Sequence, residues 1–268
     1  MNSTSDIKIS APSSRYLVYT SAGDYANFHP WLRGKRNFDL WVTYYGNQGS
    51  RYKDLSDFYN MYQGSKWQNL RNVYLKWPEI LEHYDAILAM DDDILINTAN
   101  INRLFAIRKE FDLWICQPSY DVRGKIRHKI TASQPSNLLR YVNFVENGCS
   151  VFRKDKLDEF MKVYDGSLGG NGVDYWFLKV LGSDIEGKYA IVDAIRCINP
   201  HDEKKSGVRE CLIYEKLPWK ELVIQLEPRY GIRGHLLPQK EFSAIPHKLL
   251  SDHLAAFYYR KFVLSKHK

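Results

Sequence analysis

The sequence is poor in the features that would assign it to several common classes. It has only four cysteines, Cys116, Cys149, Cys197 and Cys211, far apart and without a CxxC pair. A zinc cluster or a dense disulfide framework is therefore disfavoured, and the simplest compartment is the reducing cytoplasm. No stretch approaches the roughly 20 consecutive apolar residues of a spanning helix. The first 14 residues, MNSTSDIKISAPSS, lack the apolar centre of a secretory signal and read as a frayed leader. Internal repeats, low-complexity tracts and linkers are also missing. The economical reading is a single domain over 15–245 followed by a C-terminal segment at 246–268.

What is present is core-forming material. The chain has 268 residues, 44% hydrophobic and 26% charged, with 7 Trp, 19 Tyr and 12 Phe. That is ample for burial and excludes extensive disorder. A net charge of +7 favours anionic partners such as nucleotides, phospholipid headgroups or nucleic acid without choosing among them.

Short β-rich runs alternate with helix-length stretches. RYLVYT (15–20) and FDLWVTYY (38–45) are strand candidates, each followed by a turn-forming run. Residues 66–82 place Leu70, Val73, Trp77, Ile80 and Leu81 at helical spacing, with Pro78 expected to kink or split the helix. DAILAM (85–90) reads as a buried strand, 98–110 as a helix and LWICQP (113–118) as the next strand. FVENGCSVF (144–152) reads as a strand, KDKLDEFMKVY (154–164) as a helix and YAIVDAI (189–195) as a late strand. This alternation predicts an α/β fold with a mostly parallel sheet flanked by helices.

The acidic triplet Asp91-Asp92-Asp93 follows the apolar run 85–90 directly. Ligands of open α/β sheets bind beyond the carboxyl ends of strands. On an extended chain, Asp91 and Asp93 would share a face roughly 6–7 Å apart, with Asp92 turned the other way. A hard cation, Mg²⁺ or Mn²⁺, would relieve their repulsion and bridge to a nucleotide diphosphate. The bland alternative is a solvated acidic turn.

Other candidates are weaker alone. Ser21, Ala22, Gly23 and Asp24 form a turn that can admit a nucleoside, and Tyr44 offers a stacking surface, although small residues after a strand are routine. Lys66, at a helix start, can meet phosphate or simply be solvated. The glycine cluster before Asp174, Tyr175 and Trp176 delivers a carboxylate beside aromatic rings. Asp174 can serve as general base on an acceptor hydroxyl, or it can cap the helix. His201, in a polar loop, can complete a metal's coordination or stand exposed. Near the C-terminus, Leu250, Leu254, Phe257, Tyr258 and Phe262 share a helical face flanked by Lys248, Arg260, Lys261, Lys266 and Lys268. That face can pack on the domain, with its basic end touching an anionic membrane.

In this order the features resemble the GT-A fold of nucleotide-sugar-dependent glycosyltransferases. More narrowly, GSKWQNL, the MDDDI turn, FVENGCSVF and GVDYWF resemble a plant and bacterial GT-A-like family that has carried a lysine-ketoglutarate reductase-related label. The resemblance spans roughly residues 15–205. It implies Asp91 and Asp93 as the metal motif with His201 as a further ligand, and Asp174 as the later acid. The segment around Asp174 lacks that fold's usual Glu-Asp pair.

The resulting expectation is a cytoplasmic, Mn²⁺- or Mg²⁺-dependent, inverting glycosyltransferase, with a UDP-sugar as the favoured donor. Ser21, Ala22, Gly23, Asp24, Tyr44, Lys66, Asp91 and Asp92 would serve the nucleotide. Glu146, Asn147, Tyr175 and Trp176 would line the acceptor side. The basic C-terminus points to a lipid-linked glycan acceptor, as in bacterial surface polysaccharide synthesis, at the inner face of the membrane. A sugar nucleotidyltransferase is the rival enzyme, although SAGDYANFHP lacks its basic phosphate loop. A non-catalytic carbohydrate- or nucleic-acid-binding protein is the rival from another class, with nucleic acid disfavoured.

Overall fold

The structure, a computed structural model, describes residues 7–167, 169–170, 172–201 and 238–247. Strands β1 (Tyr16–Ala22), β2 (Asp39–Tyr44) and β3 (Phe58–Met61) precede helices α1 (Lys66–Lys76) and α2 (Pro78–Leu81). Then come β4 (Ala86–Met90), α3 (Thr98–Glu110), β5 (Ile115–Tyr120), β6 (Asn137–Val142) and β7 (Cys149–Arg153). The order closes with α4 (Lys154–Met161), α5 (Val173–Leu181), β8 (Tyr189–Cys197) and β9 (Glu241–Pro246). As expected, Pro78 divides the 66–82 stretch: it opens α2 after Trp77 leaves the helical region.

The described strands form one sheet in the order β3-β2-β1-β4-β7-β5-β8-β6-β9. β1 is parallel to β2 and β4, and β2 to β3. β7 runs against both β4 and β5, so β5 rejoins the common direction, as does β8 beside it. β6 is the second reversed strand, antiparallel to β8 and β9. Only β7 and β6 are reversed, so the sheet is mostly parallel, as the alternation predicts. β4 pairs Met90 with Cys149, the first residue of β7. This register sets the turn before β7 beside the residues after β4.

Side chains alternate between two apolar layers. Tyr19, Trp41 and Ile87 join Trp67 of α1, Leu157 and Phe160 of α4 and Phe177 of α5 on one face. Val18, Val42 and Leu88 join Ile101, Leu104 and Phe105 of α3 on the other. Edge-to-face contacts of Trp67 with Phe152 and Phe160 tie α1 and α4 to the sheet, at centroid distances of 5.6 and 5.7 Å.

Two sequence expectations change. Residues 7–14 are not frayed: Lys8 exchanges backbone bonds with Tyr59 on the outer edge of β3, and Ser13 N–H donates to Asp39 at 2.9 Å. An edge strand leaves backbone groups open, and this segment fills them. Residues 144–148 are not strand, because β7 begins only at Cys149. β3, β6 and β9 were not read from the sequence. The C-terminal face expected at 250–262, with its flanking basic residues, lies outside the described residues. No helix among the described residues is long and apolar enough to cross a membrane.

One buried ion cluster holds the β8–β6–β9 end. Arg140 of β6 donates to Asp193 of β8 at 2.7 and 3.2 Å, to Glu241 of β9 at 3.2 Å, and to the Ile130 and Ala132 carbonyls. Arg140 and Asp193 are buried, whereas the Glu241 side chain is 36% exposed. Asp193→Ala, which strands a buried guanidinium, should cost about 3–5 kcal/mol in urea unfolding. Glu241→Ala should cost under about 1 kcal/mol. Equal losses would show that the cluster does not work this way.

Candidate active site

The candidate residues come together where the carboxyl ends of β1 and β4 meet the turn before β7. The triplet is not an extended strand end. Ile94 N–H bonds to the Asp91 carbonyl, turning the chain so that Leu95 can pair with Ile198. Each carboxylate of a turn can leave in its own direction, so the even alternation expected of a strand is lost.

Asp91 Oδ1 lies 2.7 Å from Lys66 Nζ, and the Asp91 backbone N–H donates to Gly148 at 2.9 Å. Asp92 is buried and reaches back to β1, accepting the Gly23 N–H at 2.9 Å. Its carbonyl accepts the Asn27 N–H at 2.7 Å. Asp92 therefore braces the Ser21–Asp24 turn from below. Burial, with Asp93 and Asp91 beside it, pushes its carboxyl up to about 7. Asp93 is half-buried.

The turn at 146–148 is the hub. The Asn147 carbonyl accepts Lys66 Nζ at 2.5 Å, while its side-chain amide donates to Asp174 at 3.2 Å and to the Gly170 carbonyl at 3.0 Å. Glu146 is buried, and its N–H donates to the Gln117 side chain at 2.6 Å. Neither Glu146 Oε2 nor the buried Tyr120 hydroxyl has a hydrogen-bond partner among the described residues. Burial, with Asp174 and Asp91 nearby, pushes Glu146 up to about 7, partly opposed by Arg127 and Lys66. Gly148 is required by close approach: a Cβ there would stand 2.8 Å from the Tyr120 hydroxyl and 3.3 Å from Asp91 Oδ2.

α5 is preceded by Gly172, whose φ of 87° is the left-handed conformation that glycine favours. Asp174 thus lies inside the first turn rather than capping it. Its carboxylate accepts the Tyr175 N–H at 3.0 Å, and burial pushes it up to about 6. Carboxylates held near neutrality suit general base work.

The remaining candidates divide. Ser21 accepts a bond from Asn69 at 2.6 Å, and Ala22 is buried at the end of β1. Asp24 accepts from the Tyr44 hydroxyl and from Asn47 N–H at 3.1 Å. The Tyr44 ring is fully buried, so it braces this turn and offers no stacking face. Trp176 is 4% exposed and packs edge-on against Tyr164 and Phe160, inside the core and not on an acceptor surface. Tyr175 is half-buried against Phe144. His201 is exposed. Arg127 and Tyr120 are additions to the site that the sequence did not suggest. A cleft of about 390 Å³ lined by Asn97, Asp121, Arg123 and Arg196 contains none of the candidates.

The oxygen donors of Asp91 and Asp93 are the right chemistry for Mg²⁺ or Mn²⁺, and the structure shows part of that set already engaged. Lys66 already holds Asp91 Oδ1, and Asp92 is spent on Gly23. Among the described residues no three His, Cys, Asp or Glu side chains are grouped so as to hold a metal ion.

A carboxyl group raised on folding keeps a proton that the unfolded chain has lost. Stability contributed by protonated Glu146 is therefore lost as pH climbs from its unfolded value towards about 7. Glu146→Gln removes this titration. From pH 5 to pH 8 the variant should gain on the parent by about 2–3 kcal/mol in urea unfolding. A constant difference across that range would refute the assignment.

No family model matches the chain, so the narrower plant and bacterial family gains no support from that comparison. No curated protein matches either. Among solved structures, S. aureus TarS 1-349 is 13% identical with a TM-score of 0.48, over 69% of this chain and 60% of that one. The same protein in complex with UDP-GlcNAc is 11% identical with a TM-score of 0.48, over 72% and 60%. A197 from STIV is 14% identical with a TM-score of 0.40, over 70% and 95%. The chain thus spans about 60% of the TarS 1-349 structures that it matches. At these TM-scores the likeness says nothing about activity.

Proposed function

We propose that the chain is a glycosyltransferase that moves a sugar from a nucleoside diphosphate, with a UDP-sugar favoured, to an acceptor hydroxyl. One observation carries this reading. A cation suited to phosphate, Lys66, and a carboxylate raised to about 6, Asp174, are both bound to Asn147. Sugar transfer needs both groups at close quarters. The acceptor hydroxyl must lose a proton as it attacks the sugar, and the departing diphosphate must have its charge met.

In this reading the Ser21–Asp24 turn, braced by Asp92 and Tyr44, holds the nucleoside. Asp174 takes the acceptor proton, which fits direct displacement with inversion. Glu146 and Tyr175 face the acceptor. The diphosphate needs a cation at the β4 end: Mn²⁺ or Mg²⁺ on Asp91 and Asp93 is the expectation from the triplet, and Lys66 is the cation that the chain itself places there. A lipid-linked acceptor and contact with a membrane rest on residues 248–268, outside the described part of the chain.

Thermal unfolding with UDP, GDP and CMP, each with and without Mn²⁺, tests the donor side. A nucleotide at 100 times its dissociation constant adds about 2.7 kcal/mol and should raise the melting point by several degrees. No shift with any of them would sink the reading. On the acceptor side, Asp174→Asn should keep the nucleotide shift yet slow sugar transfer by about 10²–10⁴-fold. Near-parental turnover would remove Asp174 as the base.

A further inference from the structure

The acidic triplet leads one to expect a divalent metal, and the placement of its side chains disagrees. Asp92 is committed to the Gly23 N–H, and His201 is exposed. Asp91 faces the hub with part of its carboxylate open, its side chain being 42% exposed. The place against Asp91 Oδ1 where a cation would sit is taken by the Lys66 ammonium.

Lys66 is built into that place. It opens α1, where Gln68 Oε1 accepts the Ser65 N–H at 3.0 Å and the Gln68 amide donates to the Gly166 carbonyl at 2.9 Å. The Lys66 side chain is only 8% exposed. Such a lysine differs from the solvated ones common at helix ends. Its ammonium carries three donors, and the structure gives two of them partners, Asp91 Oδ1 and the Asn147 carbonyl. Among the described residues the third has no hydrogen-bond partner, which suits a ligand oxygen, and the first turn of α1 adds positive potential.

Building on the transferase reading above, we propose that Lys66 is the phosphate-binding cation of this site, bridging Asp91 to the donor's diphosphate in place of a divalent metal. Asp91 then serves to fix the ammonium in place, and the pair presents no net negative charge to the diphosphate. A divalent ion at the position the ammonium occupies against Asp91 Oδ1 would have to displace a group that the Asn147 carbonyl also holds.

The test is calorimetric titration of the full chain with UDP and with GDP, in EDTA and again in Mn²⁺. The nucleotide that binds should do so with the same dissociation constant, within about threefold, in both buffers. Lys66→Met should weaken it at least tenfold in both, and Lys66→Arg should restore part of the loss. Should Lys66→Met alone fail to fold because it leaves Asp91 unpaired, the Lys66→Met/Asp91→Asn pair removes both charges and should show the same weakening. Binding that requires Mn²⁺, or that is indifferent to Lys66, overturns this inference and leaves the transferase reading standing. Absence of binding by either nucleotide in either buffer overturns both.

Discussion

The site is governed by the cost of holding several carboxylates in one partly dry volume. Asp92, Glu146 and Asp174 are buried, and Asp91 stands close enough to raise both Asp92 and Glu146. Like charges so placed must be met by donors, by cations or by retained protons. All three devices appear. Gly23 and Tyr175 lend backbone N–H groups, Lys66 and Arg127 lend positive charge, and Glu146 stays close to half-protonated near neutral pH. The reversed strand makes this necessary. Because β7 runs against β4, its start lies beside the end of β4, and residues 146–148 meet the triplet. In an all-parallel sheet that turn would lie at the opposite edge, and the carboxylates would never gather.

Much of the architecture could be read from local pattern. The apolar runs of β1, β2, β4 and β8 are strands buried on both faces, and such strands announce themselves by continuity. Pro78 split its helix for the ordinary reason that it cannot continue one but can begin one. The missed elements lack such marks. β3 is four residues long, and β9 is largely exposed at the sheet edge. β6 carries Arg140 in its centre, a residue that reads as surface until its partner Asp193, 53 positions away, is seen. Residues 144–148 read as strand because their apolar start continues into β7, although the chain turns before the ladder begins.

The site was legible in its residue types and less so in its directions. Asp91, Lys66, Glu146, Asn147 and Asp174 were each visible as chemistry, yet nothing local to any of them says that Asn147 touches both Lys66 and Asp174, 81 and 27 positions distant. The triplet suggested two ligands on one face because a strand was assumed to continue; the turn at Asp91–Ile94 removed that regularity. Tyr44 and Trp176 look like ligand-facing aromatics in the sequence, and both are buried. Aromatic rings beside a site are as often the material that holds its loops.

The hub carries a consequence for how the two halves of a transfer reaction would communicate. Asn147 uses its backbone carbonyl on Lys66 and its side-chain amide on Asp174, so one residue carries both bonds. A ligand oxygen drawing the ammonium forward would pull on that carbonyl and so on the amide that orients Asp174. On the proposed reading, donor occupancy would then be felt at Asp174 through a few covalent and hydrogen bonds, with no domain motion required.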